Sequence, residues 1–241
     1  MTPSFANLEA KNIRTIVCDI EGTTTAIDFV HKTLFPYARE RLARFVDENL
    51  TNPEVMSVCS AVRQLCHQGS WGVQEVITQL LAWSDADAKI APLKTLQGMI
   101  WEEGYRAGLF VTHVYEDVAP CLRQWQAMGI GLAIYSSGSV QAQKLLFAHT
   151  SAGDLTKFFT RYFDTGVGAK REKNAYLSIA TALQQPPHEL LFLSDVMAEC
   201  QAALDAGWQS VLVCRDALPP SEPLHYPWVS HFNAVRLKVP C

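Results

Sequence analysis

Ile13-Arg14-Thr15-Ile16-Val17-Cys18-Asp19-Ile20-Glu21-Gly22-Thr23-Thr24-Thr25 is the stretch that decides the fold. A short β-branched apolar run stops in two carboxylates, a glycine and three hydroxyls, which predicts a buried strand from Ile13 to Ile20. Asp19 and Glu21, two residues apart, would point to the same side at or just past its C-terminal edge. Open α/β sheets bind ligands outside that edge. The pair therefore reads as a metal site, a nucleophile or an acid/base pair, against the plainer alternative of a strand running into a solvated turn.

Beyond Thr25 the pattern changes. From Asp28 to about Gly108 there is little strand signal. Val30, Leu34, Tyr37, Ala38, Leu42, Phe45 and Val46 recur at helical spacing, with Arg39, Arg41, Arg44, Asp47 and Glu48 between them. Pro36 should kink that helix or mark its start. Further helices are expected from Asn52-Pro53 to near Gly69, from Val73 to Trp83, and from Asp85 to Arg106. An insertion of this size directly after the first strand implies a helical cap, residues 26–109.

From Tyr115 strands and helices alternate: helix 118–128, strand 130–135, helix 140–149, strand 162–165, helix 174–183, strand 190–193, helix 198–206 and strand 210–214. Trp228 to His231 reads as a last short strand, after a loop marked by Pro219-Pro220 and Pro223. Met1 to Asn12 reads as a polar lead-in. Single helices between strands mean right-handed crossovers and a parallel sheet. The fold class is α/β, a Rossmann-like core of residues 1–25 and 110–241.

Composition narrows the function classes. The 241 residues suffice for a core plus a cap. A net charge of −4 with scattered basic residues favours neither nucleic acid nor an anionic membrane. No basic segment followed by an apolar one stands at Met1, and no apolar run has the length of a membrane span. The seven cysteines, Cys18, Cys59, Cys66, Cys121, Cys200, Cys214 and Cys241, include no Cys-x-x-Cys pair. They read as reduced thiols of a cytoplasmic protein.

Three further groups follow strands. Ser136-Ser137-Gly138 opens a helix and could hold an anion on free N–H groups, or be an ordinary serine cap. Gly166-Val167-Gly168-Ala169-Lys170 places a lysine on a glycine-flanked loop, where it could reach a phosphoryl group. Arg171 and Lys173 are rival cations, and a solvated surface lysine is the plainer reading. Ser194-Asp195 could face Asp19 and complete a magnesium site, or Asp195 could simply cap the next helix. Glu199 reads as a supporting group or a cap partner.

The order of these groups, acid pair, hydroxyl, lysine, acid, resembles the four motifs of the haloacid dehalogenase superfamily. Asp19-Ile20-Glu21-Gly22-Thr23-Thr24-Thr25 is similar to the first motif of its enolase-phosphatase branch. So are Leu34-Phe35-Pro36-Tyr37, Leu96-Gln97-Gly98 with Trp101, Tyr135-Ser136-Ser137-Gly138-Ser139-Val140, Ala142-Gln143-Lys144-Leu145-Leu146-Phe147, Phe163-Asp164-Thr165 and Leu191-Phe192-Leu193-Ser194-Asp195-Val196. The chain departs from the branch at Lys173 and Ala175, where serines are usual, and at Ser194, where threonine is.

The resemblance implies a Mg²⁺-dependent phosphatase of methionine salvage, with one ion per subunit, acting on a small phosphorylated diketone after enolising it. It implies Asp19 as nucleophile and Glu21 as acid/base. Ser136, Ser137 and Lys170 would be the phosphate ligands, and Asp19, Asp195 and the Glu21 backbone carbonyl the metal ligands. A cytoplasmic monomer without nucleic-acid or membrane partners is expected. A capped sugar-phosphate phosphatase, a hydrolytic dehalogenase and a receiver-type signalling domain are the rivals. The last is about half this length and has no cap.

Overall fold

The structure, a computed structural model, describes residues 8–215 and 226–238. The expected proline loop and Cys241 lie outside the described residues. Two compact units are present, Met1–Ile27 with Thr112–Cys241, and Asp28–Val111.

The chain enters through β1 (Leu8–Lys11) and β2 (Thr15–Cys18). β2 is shorter than the predicted strand, but its ladder is extended at both ends. Arg14 N–H donates to the Glu189 carbonyl and Asp19 N–H to the Leu193 carbonyl, each at 2.9 Å.

The second unit is helical. α1 (Ile27–Phe29) runs through a π-turn, Val30–Leu34, into α2 (Phe35–Glu48). Pro36 sits in the first turn of α2, where its missing N–H is tolerated. α3 (Pro53–Leu65) is capped by the Asn52 side chain, which accepts from Glu54 N–H. The helix expected from Asp85 to Arg106 is corrected. α4 (Val73–Asp85) runs through Asp85, Asp87 turns left-handed at φ 49°, and α5 (Ala91–Arg106) starts with Pro92 in its first turn. Asp tolerates that backbone and Pro is pre-set for a helix start, so the break has a local cause. Leu42, Leu80, Leu93, Leu96 and Ile100 fill the bundle. Trp101 and Tyr105 are buried there too, and the Trp101 indole donates to the Leu34 carbonyl at 2.7 Å.

The first unit resumes with α6 (Val118–Ala127), β3 (Gly131–Tyr135), α7 (Val140–Ala148), β4 (Arg161–Phe163), α8 (Lys173–Leu183), β5 (Leu190–Ser194), α9 (Met197–Asp205), β6 (Gln209–Val213) and β7 (Trp228–Val229). Among the described residues these strands form a parallel sheet in the order β4-β3-β2-β5-β6-β7. Alternation along each strand serves two cores. Ile16, Cys18, Leu132, Ile134, Leu191 and Leu193 pack with α6 and α7 residues such as Leu122, Trp125 and Phe147. Val17, Ala133, Tyr135 and Phe192 pack with Tyr176, Ile179 and Ala203 of α8 and α9. Burying both faces is why these strands read as continuous apolar runs.

Two expectations at the chain's edges need correction. The lead-in contains β1, and Trp228–Val229 is not the last strand. β8 (Val235–Lys238) follows and pairs in parallel with β1 as a separate two-stranded sheet. Four-residue strands of mixed charge carry too little period-two signal to be read alone. Among the described residues no helix is long and apolar enough to cross a membrane, and Cys18, Cys59, Cys66, Cys121, Cys200 and Cys214 are free thiols.

Candidate active site

β2 lies at the middle of the sheet, where the strand order reverses: β3 and β4 build outward on one side, β5 to β7 on the other. That is the switch point at which such sheets bind ligands. Register places Cys18 beside Ile134 of β3 and Leu193 of β5. The next residue, Asp19, is therefore level with Tyr135 and Ser194.

Past Asp19 the backbone coils tightly. The Ile20 carbonyl accepts from Thr23, Thr24 and Thr25 N–H at 3.2, 2.9 and 3.0 Å. Gly22 adopts φ +71°, and a Cβ there would stand 2.2 Å from Asp195 Oδ2, so only glycine fits. The strand-pleat argument for Glu21 is thereby corrected. The strand ends at Cys18, and Glu21 belongs to the turn, its backbone bridged to Thr25. Its charge nevertheless reaches Asp195.

Asp19 is buried. Its Oδ1 accepts from Ile20 N–H at 2.7 Å and meets Lys170 Nζ at 2.6 Å. Lys170 also meets Glu199 Oε2 at 2.7 Å. The Ser194 hydroxyl lies 2.9 Å from Glu199 Oε2 and 3.3 Å from Asp19 Oδ2. Burial disfavours a charged Lys170, but Asp19 and then Glu199 outweigh it and raise its pKa above the usual lysine range. Burial, then the Asp19 charge, pushes Glu199 up, and Lys170 opposes that. Glu199 is thus a direct partner of the lysine and not a helix cap. The rival cations Arg171 and Lys173 are exposed.

Two tyrosines to which the sequence reading assigns no role fix the lysine loop. Tyr135 of β3 donates to the Gly168 carbonyl at 2.9 Å, and Tyr176 of α8 to the Lys170 carbonyl at 2.7 Å. Gly168, at φ +136°, packs so closely on Ala175 that a Cβ would stand 2.9 Å from its methyl. Ala175 in a usual serine place therefore faces a close glycine contact.

Asp195 shows the opposite character. Its N–H donates to Thr23 Oγ1 at 3.0 Å. Its Oδ1 is buried without a hydrogen-bond partner. Burial, then the charge of Asp19, pushes its carboxyl up to about 6. Val196 and not Asp195 is the cap residue of α9, which removes the plainer reading. A buried carboxylate oxygen with no donor, within reach of a second carboxylate, is a fit for a hard dication. Among the described residues no group of three or more His, Cys, Asp or Glu side chains is arranged to hold a metal. A set of two carboxylates suits Mg²⁺, which keeps waters and substrate oxygens as its other ligands.

Ser136 is buried at the end of β3, and its Oγ accepts from Gly138 N–H at 3.1 Å. The hydroxyl hydrogen stays available to donate. The cap of α7 is Ser139, which accepts from Ala142 N–H, so Ser136 is not the cap residue. Gln143 of α7, also without an assigned role in the sequence reading, donates to the Gly138 carbonyl at 2.7 Å and the Phe163 carbonyl at 2.8 Å. It ties the serine loop to the end of β4. Asp164 accepts from Gly166 N–H at 2.8 Å and Val140 N–H at 3.4 Å.

A parallel switch-point sheet carrying an acid, hydroxyls, a lysine and a second acid on successive strand ends defines a hydrolase class, and known proteins agree. A family model of haloacid dehalogenase-like hydrolases matches residues 13–207. Enolase-phosphatase E1 of Methylococcus capsulatus is 47% identical over 224 residues, 93% of this chain and 98% of that one. Enolase-phosphatase E1 of Erwinia tasmaniensis is 51% identical over 205 residues, 85% of this chain and 90% of that one. The crystal structure of the UTR4 protein of Saccharomyces cerevisiae is similar at a TM-score of 0.78 and 31% identity, over 92% of this chain and 99% of that one. That of CbbY from Rhodobacter sphaeroides, in complex with phosphate, shares the fold at a TM-score of 0.58 and 16% identity, over 91% and 95% of the two chains. The chain belongs to the haloacid dehalogenase-like hydrolases and, within them, to the enolase-phosphatase family.

Proposed function

We infer that this chain acts in L-methionine salvage as an enolase-phosphatase. It enolises 2,3-diketo-5-methylthiopentyl 1-phosphate and hydrolyses the enol phosphate to the acireductone 1,2-dihydroxy-3-keto-5-methylthiopentene and phosphate. The relatives support the substrate. One observation carries the chemistry: Asp19, at the centre of the sheet, has a charged lysine as partner and feels the charge of a second, half-buried acid.

In the phosphatase half, an Asp19 carboxylate oxygen bonds to phosphorus as the bond from phosphorus to the enol oxygen breaks. Glu21 gives its proton to that leaving oxygen, then takes one from the water that cleaves the aspartyl-phosphate. Lys170 and the hydroxyls of Ser136 and Ser137 hold the transferring oxygens. Asp19, Asp195 and the Glu21 carbonyl would hold one Mg²⁺, which when bound offsets the repulsion between a carboxylate and a phosphate. The unit Asp28–Val111 acts as the cap, and the other unit is the catalytic core. Enolisation removes a carbon-bound proton, and Glu21, one methylene longer than aspartate, is the base candidate. A cytoplasmic monomer is the accompanying expectation.

The test supplies the diketone phosphate with Mg²⁺ and follows near-ultraviolet absorbance together with phosphate. Both signals should rise, the absorbance from the conjugated enediol. Comparable kcat/KM on simple sugar phosphates, with a poor diketone rate, would remove the enolase half and leave the phosphatase half.

A further inference from the structure

We propose that Arg215 is a positioning residue that holds the Asp195 backbone through Thr23 and so sets the affinity of the site for Mg²⁺. The inference rests on the reading of Asp195 as a metal ligand. Arg215 follows the C-terminal end of β6, two strands from Asp19. Its Nε donates to the Thr23 carbonyl at 2.9 Å. The Thr23 hydroxyl oxygen, in turn, accepts the Asp195 N–H at 3.0 Å. One residue of the first-motif turn is thus gripped by Arg215 on its backbone and grips Asp195 with its side chain.

The grip is itself anchored. Arg215 Nη1 donates to Asp117 Oδ1 and Oδ2 at 2.8 and 2.7 Å, with the two side chains only 5% and 10% exposed. The guanidinium lies between the Tyr115 and Phe232 rings, 4.3 and 4.7 Å from their centroids. Asp117 stands at the cap position of α6 yet makes no cap bond. It accepts from Arg215 and from Phe232 N–H instead. An aspartate that forgoes the usual cap role and a buried guanidinium whose Nη2 has no hydrogen-bond partner mark an arrangement held for its geometry. A lysine would supply the charge but neither the fork nor the flat faces. The same turn is laced from the Tyr115 side, where Tyr115 N–H donates to the Thr24 carbonyl at 3.2 Å and Ala26 N–H to His113 Nδ1 at 3.1 Å.

The tolerance at the end of this relay is small. Asp195 Oδ2 lies so close over Gly22 that there is no space for a methyl group. A shift of Thr23 therefore moves the carboxylate relative to Asp19 and not merely the loop around it. Groups that orient a metal ligand typically control about 10–100-fold in affinity. Arg215 acts one bond further out, so the lower end is expected.

The experiment measures Mg²⁺ binding by calorimetry without substrate, beside thermal midpoints, on full-length Arg215→Lys, Thr23→Val, Thr23→Ser and Asp195→Asn variants. Arg215→Lys and Thr23→Val should each bind Mg²⁺ about 10-fold more weakly. Thr23→Ser, which keeps the acceptor oxygen, should bind like wild type. If Arg215→Lys and Thr23→Val lower only the thermal midpoint and bind Mg²⁺ like wild type, the residue is merely structural and the proposal is overturned. Should Arg215→Lys not fold, the valine and serine pair at Thr23 decides by the same criterion. Asp195→Asn separates the two readings. If it binds Mg²⁺ as wild type does, the metal-site reading itself fails. If it loses binding while the relay variants keep it, the relay alone fails.

Discussion

Asp19 stands between two flanks of opposite character. On the Lys170 flank each charged group has a partner: one ammonium meets two carboxylates, and Ser194 touches both acids. On the Asp195 flank a buried carboxylate oxygen has no donor, and the carboxyl is pushed up to about 6. The first flank is complete in the protein alone. The second leaves a carboxylate oxygen that no protein donor reaches. On the proposed function, a site that takes up a metal and a phosphate together keeps its paired charges on one side and its binding deficit on the other.

The sharpest way to break this comparison is to remove the charge that both flanks share. Asp19→Asn should lower turnover by about 10⁴-fold or more, the scale of a lost nucleophile, with the fold retained by circular dichroism. Near wild-type phosphate release would show that the centre of the comparison is misplaced.

Opening the closed flank comes next. Lys170→Met leaves Asp19 and Glu199 buried without their cation. A buried pair broken on one side costs about 3–5 kcal/mol, so denaturant unfolding should show a large loss of stability. Turnover and phosphate affinity should fall while the Mg²⁺ requirement stays in place. Rescue of turnover by raised Mg²⁺ would mean that the roles of Lys170 and Asp195 are exchanged.

The smallest effect comes from closing the open flank. The folded Asp195 carboxyl lies near 6, against an ordinary value of 3.8. A raised carboxyl favours the protonated folded state. In the metal-free protein its contribution to stability is therefore present below about pH 4 and lost as pH rises through about 6. Asp195→Asn should flatten that part of the stability curve measured in a chelator. An unchanged curve would show that Asp195 carries no such deficit.

Much of this was legible in the sequence because the signals are local. A short apolar run ending in an acid or a serine announces a strand end, and Asp19, Ser136 and Asp195 each follow such a run. Lys170 is not singled out by its neighbourhood, since Arg171 and Lys173 stand beside it; the burial of its side chain separates them. The remaining features depend on distant partners. Asp117 and Arg215 are 98 residues apart, and Thr23 and Arg215 192. No pattern within a window of sequence brings such pairs together. Glu21 fell between the two cases. It was expected to point with Asp19 by strand alternation, and a turn hung from the Ile20 carbonyl sets its direction instead.

The central place of β2 also has a consequence during synthesis. Its neighbours begin at Gly131 and Leu190, beyond the whole of Asp28–Val111. Of the six strands its sheet has among the described residues, the one that carries the nucleophile candidate is made earliest, long before either neighbour. The helices between have their partners within one continuous stretch, and contacts close in sequence form fastest. The nascent chain can thus complete its helical unit while both edges of Thr15–Cys18 are still unpaired. An unpaired apolar edge is the part of a growing chain most exposed to aggregation. A strand buried in the finished sheet is therefore its most vulnerable one until Tyr135 has been made.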